Sequence, residues 1–529
     1  MTMPTDLPRA IQLAFARSFS TLFLAWMPLA GQAGDLDTMG VTRLRALDST
    51  LTGNGVVVAQ PEALDSTNSP EFEVNPATVG QPQSFFTWVS TNGGSTVFTN
   101  SLGAESPHAD SVALALFGAS QGVAPGVAHD FNYEADYFYS FIVVDDLAIV
   151  ANVVNQSFAF FDSLSDQPSV NSAYDSYIAD QGNVFCSAVN GLNNGVGPPG
   201  TAYNCIGVAA YGVGADVATG PTADNGRSKP DLVAPGQRIS FTTPYVTGAA
   251  SVLLQAAARG DGGPNISIAD DRRTVKALLL NGALKPFDWT HTTNAPLDTR
   301  YGAGVLNLFY AYEQLAAGQK TYTAEINVAA GGAHPPISSG ETIGSLLGWD
   351  FESISNAPGE DTINHYLFNV PSNSTLTATL VWERQAGLTN INNLALFLYN
   401  ATNSTLLACS VSAVDNVQHL YLPHLPPGTY DLEAIKYGSP SQSVTPSETY
   451  ALAFDFFAIS APALSAAPAG ANTVLTWPAS PTVFVLQQTS ALTPPVSWSN
   501  VTAQEWITNN TVWVGLNSSG AAGFYRLAR

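Results

Sequence analysis

Apolar positions along the chain follow two regimes, and the change between them falls near residue 324. Before it, short continuous apolar runs alternate with stretches of helical period, which predicts an α/β unit built on buried parallel strands. Gly53-Asn-Gly55 feeds the β-branched run Val56-Val-Val-Ala59, a tight turn entering such a strand. Thr201 to Ala210 reads as another buried strand, and Leu232-Val-Ala234 as a third, ending in Pro235-Gly236. Pro244 then opens an apolar run through Leu253-Leu254 with helical spacing. Ser240 therefore falls where a helix begins, and Pro244 is expected inside the first turn, where a missing N–H costs nothing. Thr274 to Asn281 is a further helix with a glycine stop at Gly282.

After residue 324 the runs shorten and alternate. His365-Tyr-Leu-Phe-Asn-Val370, Thr375 to Trp382, Leu394 to Tyr399, Tyr430 to Ala434 and Tyr450 to Phe454 lie between Gly, Pro, Asn and Ser clusters. That pattern predicts an antiparallel β-sandwich. An Ala- and Pro-rich linker, Ser460 to Ala471, leads to a last β unit that contains Thr473 to Trp477 and Thr511 to Val514. The expected fold is thus α/β, a helix-flanked parallel sheet, followed by two all-β domains. The expected boundaries are 1–33 for a leader, 34–323 for the α/β unit, 324–459 for the sandwich and 460–529 for the small C-terminal unit.

The leader changes where the protein is expected to act. Arg9 and Arg17 precede an apolar stretch from Phe19 to Leu29, and Ala30-Gly-Gln-Ala33 offers small residues for cleavage after Ala33. The stretch is too short to span a bilayer, so it reads as an export signal, and the mature protein as secreted or otherwise extracytoplasmic. A formal charge of −23 argues against nucleic acid and anionic membrane surfaces as partners. With 45% hydrophobic and 11% charged residues the chain is globular rather than disordered. CxxC, HExxH and EF-hand patterns are absent, so neither a dedicated metal site nor a cofactor is expected.

Ser240 is the chemically interesting residue of the first regime. At a helix start, outward-pointing N–H groups and the positive end of the dipole stabilise an oxyanion. A serine hydroxyl becomes a nucleophile only beside an imidazole that takes its proton, and a carboxylate must orient that imidazole. The chain has seven histidines, among them His108 in His108-Ala-Asp-Ser-Val112, which Gly122-Val-Ala-Pro-Gly126 follows. Glu62 ends the Val56 strand, with Asp65 as an alternative orienting carboxylate. Asn183-Val-Phe-Cys186-Ser-Ala-Val-Asn190-Gly is another strand ending, with Asn190 either a turn residue or an oxyanion donor.

Together these segments resemble the subtilisin-like peptidases. Lys229-Pro-Asp-Leu-Val-Ala-Pro-Gly236 and Ser240-Phe-Thr-Thr-Pro244-Tyr-Val-Thr-Gly248 are similar to that family's K-P-D-[LIV]-x-A-P-G and S-x-A-[ST]-P-x-V-x-G strings. The order Glu62, His108, Asn190, Ser240 is also that of subtilases. The resemblance spans roughly residues 45 to 315 and closes on Tyr301-Gly-Ala-Gly304-Val-Leu-Asn307. It departs in several places: Glu62 stands for the family's aspartate and Ala63-Leu64 for the Thr-Gly or Ser-Gly after it, Arg238-Ile239 for Gly-Thr before the serine, Ala109 for the glycine after the histidine, Ser111 for a second histidine and Ala159 for a glycine, and the loop before Ser240 is short.

The resemblance implies a serine endopeptidase acting on polypeptides, with Ser240 as nucleophile, His108 as base, Glu62 as orienter and Asn190 as oxyanion donor. It implies that Val153 to Ala159 is an edge strand whose Ser157 and Ala159 meet the substrate backbone. It makes Cys186 and Cys205 the expected disulfide among three cysteines, and it allows structural Ca²⁺ without naming ligands. The stretch between Ala33 and Gly53 is short, so no inhibitory prodomain is expected. The competing reading is a catalytically silent scaffold of the same fold whose β modules bind a polymer, glycan, cell surface or partner protein. A lipase-type hydrolase is disfavoured because Ser240 lacks a G-x-S-x-G elbow.

Overall fold

The computed structural model describes residues 29–64, 70–160, 165, 167–189, 196–216, 222–470, 472–493, 495–517 and 523–528. Its first unit is an eight-stranded sheet. In spatial order the strands are Leu232–Pro235, Ile206–Tyr211, Val184–Ala188, Val153–Gln156, Val57–Glu62, His129–Glu134, Phe86–Ser90 and Gly93–Ser95. All neighbours pair in parallel except the last two, which form an antiparallel hairpin.

Successive residues of a strand point to opposite faces, and here both faces are covered. Val58, Val153 and Cys186 pack into one apolar cluster with the helices Pro107–Phe117, Ile239–Ala258 and Arg272–Asn281. Their neighbours Ala59, Val154 and Phe185 pack into another, beneath the helix Gln167–Gln181. Helices on both faces of a parallel sheet are the arrangement expected for residues 34–323.

Gly248 lets the Ile239–Ala258 helix approach closely, since a Cβ there would lie 2.6 Å from Val123 Cβ. The expected place of Pro244 needs correction. The helix already starts at Ile239, so Pro244 lies in its second turn. There its missing N–H leaves the Ser240 carbonyl without the usual helical donor. The hydroxyls of Thr242 and Thr243 donate back to the Ile239 carbonyl at 3.0 and 2.9 Å in the same turn.

The Lys229-Pro-Asp231 string is a buried anchor. Lys229 Nζ lies 2.5 Å from Asp231 Oδ2, which also accepts from Gly207 N at 2.6 Å, and Lys276 Nζ approaches Asp231 Oδ1 at 3.4 Å. Two lysines around one carboxylate tie the last strand of the sheet to its neighbour and to the Arg272–Asn281 helix.

From Ala324 onward every sheet is antiparallel. A five-stranded sheet (Ala324–Ala329, Glu360–Val370, Gly428–Lys436, Leu394–Asn400, Thr405–Ser410) faces a four-stranded one (Leu347–Ser355, Ser447–Ala458, Ser374–Val381, Val417–Leu425). Tyr366, Phe368, Leu376, Leu432 and Phe454 fill the space between them. Two smaller sheets follow from Ser465, with Trp477, Leu486 and Val514 buried between them. Trp477 is thus a core residue.

The sandwich is continuous with the α/β unit. Trp349, Val381, Val417, Ala451 and Ala453 belong to the same apolar cluster as the helices of the first unit. At the boundary, Arg272 Nε and Nη2 each donate to a Glu383 carboxylate oxygen at 2.6 Å. Asn281 Oδ1 accepts from the hydroxyls of Thr377 and Thr379 at 2.9 Å.

At the other end of the chain, Leu29–Thr38 is a single helix that runs through the expected cleavage point after Ala33. Met39, Val41 and Leu44 beyond it are buried in the main core. Among the described residues no helix is long and apolar enough to cross a membrane.

Candidate active site

Glu62 is the last residue of a central strand and His108 the second residue of the Pro107–Phe117 helix. Parallel sheets gather their chemistry at the carboxyl ends of strands, and this pair lies at such an end. Ser106 caps the helix by accepting from Ala109 N at 3.2 Å, and Pro107 occupies the position where its fixed φ suits a helix start. Glu62 lies on the face shared by Val58 and Gln60, and the Gln60 side chain donates to the Ala109 carbonyl at 3.0 Å, drawing helix and strand together.

The result is a contact of 2.5 Å between Glu62 Oε1 and His108 Nδ1. The Glu62 side chain is 1% exposed and that of His108 23%. The carboxylate is therefore dry, while the imidazole keeps an accessible edge. The other Glu62 oxygen, Oε2, is buried without a hydrogen-bond partner among the described residues. A buried carboxylate hydrogen-bonded to Nδ1–H leaves Nε2 as the basic nitrogen, which is what a general base at this position requires.

The Phe241 ring lies against the His108 ring, with centroids 5.5 Å apart. Phe241 follows Ser240, so the start of the Ser240 helix stands beside the imidazole. Ser240 is half-buried. Asn190 and Asp65 lie outside the described residues.

The Val153–Gln156 strand differs from expectation. It runs through the middle of the sheet, between Val184–Ala188 and Val57–Glu62, rather than along an edge. Ser157 and Ala159, which follow it, are buried at 3% and 5% exposure, and Phe158 and Phe160 pack into the second apolar cluster.

A polar bridge that the sequence analysis does not anticipate lies beneath the site. Thr247 Oγ1 on the Ser240 helix donates to Asn155 Oδ1 at 2.8 Å, and Asn155 Nδ2 donates to Ser157 Oγ at 3.0 Å. Asn155 is 0% exposed, so its amide serves both neighbours and fixes the helix against the central strand. A buried asparagine in an apolar strand was the available signal.

Cys186 and Cys205 do not pair: all three cysteines are free. The parallel register sets Cys186 opposite Ile206, and both pack into the first apolar cluster. Cys205, one residue earlier, points into the cluster on the opposite face.

Residues 133–304 match the Subtilase family, Peptidase_S8. The match contains Ser240 and begins after the Glu62–His108 pair, whose assignment rests on geometry. It supports a serine peptidase acting on polypeptides. No curated protein matches the chain. Among solved structures, the chain is similar to fervidolysin from Fervidobacterium pennivorans, a keratinolytic enzyme related to subtilisin (15% identity, 93% of this chain and 79% of that one, TM-score 0.36). It is similar also to the Aeromonas sobria serine protease crystallised with its chaperone (12% identity, 89% of each chain, TM-score 0.34). A third is the prenylagaramide maturation protease PagA (20% identity, 52% of this chain and 98% of that one, TM-score 0.35). These scores are too low to carry any feature of those proteins to this one.

Proposed function

We infer that the protein is a secreted serine endopeptidase that hydrolyses polypeptides through an acyl-enzyme. Ser240 Oγ attacks the peptide carbonyl while His108 Nε2 takes its proton. The same proton then passes to the leaving amine, and water attacks the acyl-enzyme by the reverse route. Glu62 holds the imidazole through Nδ1 and stabilises its charged form. The Ser240 backbone N–H at the helix start and the Asn190 amide hold the oxyanion. The observation that carries this reading is the 2.5 Å contact between the buried Glu62 carboxylate and His108. Glutamate has one more methylene than the aspartate of the family, and from the end of its strand it still reaches the ring.

One observation favours the silent scaffold: Ser157 and Ala159, the residues expected to meet a substrate backbone, are buried. Fluorophosphonate labelling of the purified chain decides between the two, with the adduct mapped by mass spectrometry. Adduct on Ser240 that disappears in His108→Ala establishes an activated nucleophile. Folded protein that takes no label at any pH makes the scaffold the better account, and the β modules its binding parts.

A further inference from the structure

On the outer face of the five-stranded sheet, away from the Glu62–His108 pair, three ionisable side chains meet with no exposure to water. His365 lies directly opposite Glu433 in the antiparallel register, and Asp431 is two residues before Glu433 on the same strand, hence on the same face. Ligand atoms of all three lie within 4.8 Å of one another. Nδ1 of His365 is 2.8 Å from Asp431 Oδ2 and 3.7 Å from Glu433 Oε1. Each of the three residues is 0% exposed.

This cluster is under-satisfied. Both Glu433 oxygens, Asp431 Oδ1 and His365 Nε2 have no hydrogen-bond partner among the described residues. Two buried carboxylates side by side with one imidazole carry more negative charge than the imidazole can offset, and an unpaired buried charge is costly. Either protons or a cation must relieve the excess.

We propose that His365, Asp431 and Glu433 bind a divalent transition-metal ion of the zinc class. One imidazole nitrogen with two carboxylates is a donor set for Zn²⁺ and its neighbours. Ca²⁺ and Mg²⁺ take oxygen ligands and need more of them. Tetrahedral ligands at zinc's usual bond lengths stand about 3.4 Å apart. The 2.8 and 3.7 Å separations bracket that value, so an ion entering between the groups requires only small side-chain shifts. Cys409 shares this face but sits two strands from Glu433, across Phe397, and is not a ligand.

The bound ion would fasten a loop. Ile337 N donates to Asp431 Oδ2 at 2.8 Å and Gly331 N to Asp361 Oδ2 at 2.8 Å, so the segment between the Ala324–Ala329 and Leu347–Ser355 strands already lies across this face. Neutralising Asp431 and Glu433 beneath it holds the loop and the sheet as one unit. The site is independent of the peptidase reading.

The test uses the full chain stripped with chelator, then titrated with Zn²⁺, Co²⁺ or Ca²⁺ alone. The expected results are one Zn²⁺ per chain, an upward Tm shift of several degrees, and visible Co²⁺ d–d bands without thiolate charge transfer. Glu433→Gln and His365→Gln should lose all three, and Cys409→Ser should keep them. Should the variants fail to fold, the wild-type Co²⁺ spectrum decides by itself. Absence of Co²⁺ bands together with absence of a Zn²⁺ shift overturns the proposal. So does a Zn²⁺ response that survives in folded Glu433→Gln, or stabilisation by Ca²⁺ but not Zn²⁺.

Discussion

Glu62 Oε1 and His108 Nδ1 stand 2.5 Å apart across the junction of a buried strand end and a helix start. Only one oxygen of the carboxylate is engaged, and the other is buried without a partner among the described residues. The orienting function therefore rests on a single contact. Glu62→Gln keeps the shape but offers either an amide nitrogen or a weaker acceptor to Nδ1–H. The labelling rate of Ser240 and the peptidase kcat should fall by up to roughly ten-thousand-fold, the loss seen when a triad aspartate becomes an asparagine. Glu62→Asp should also lose activity, because the shorter side chain withdraws from the ring. An aspartate variant as active as wild type would show that the strand end does not set the reach.

The free cysteines give a second expectation. Cys186 and Cys205 face opposite sides of one sheet, and burial pushes both thiols up to about 12. Folded protein should react slowly with thiol reagents at these positions. Unfolded, never-reduced protein should titrate three thiols per chain, matching its three cysteines. Reductant should leave Tm unchanged. Recovery of a single thiol would mean that these two pair after all.

Much of the fold was readable because it rests on patterns the chain repeats. The Val56 run, the Leu232 run and the alternating segments after Ala324 each become strands, and the change of regime coincides with the change from a parallel sheet to antiparallel ones. What the pattern could not carry was position across the sheet. Val153–Gln156 reads the same whether central or at an edge, and only the strand order shows it to be central. The cysteines failed for a related reason: strand neighbours were expected, but the face of Cys205 depends on a register of one residue. Pro244 falls in the second turn because the helix begins at Ile239, one residue before Ser240, and not closer to the proline that opens the apolar run. The His365, Asp431 and Glu433 cluster is formed by two strands far apart in the chain, and no local motif announces it.

The boundary between the α/β unit and the sandwich should behave as core. Arg272 and Glu383 form a two-pronged pair with side chains 14% and 7% exposed. Leaving a buried charge without its partner costs about 3–5 kcal/mol, and less here, because Arg273 Nη1 also lies 3.9 Å from a Glu383 oxygen. Arg272→Ala should lower Tm more than the double variant with Glu383→Leu, in which no carboxylate is left uncompensated. Calorimetry should also show the α/β unit and the sandwich melting in one transition, since Trp349 and Val381 share the α/β core. Two well-separated transitions would contradict a common core.

Stability should fall as pH rises through the weakly acid range. Burial pushes the carboxyls of Asp350, Asp455 and Glu448 up to about 7. In the unfolded chain such groups lose their protons near pH 4. Between these limits the folded state holds more protons than the unfolded one, so each carboxyl makes unfolding easier as pH increases, until both states are ionised. Burial of Lys285 works in a higher window: its ammonium is pushed down to about 7, so stability regained from it appears only above that pH. The thermal midpoint should therefore be higher at pH 5 than at pH 7.5. Asp455 faces Glu313 across the boundary, and the charge of Glu313 adds to the effect of burial. Asp455→Asn should raise Tm at pH 7.5, raise it less at pH 5, and flatten the profile between them. A Tm that climbs from pH 5 to 7.5 in the wild type would show that these carboxyls ionise in the folded protein without penalty.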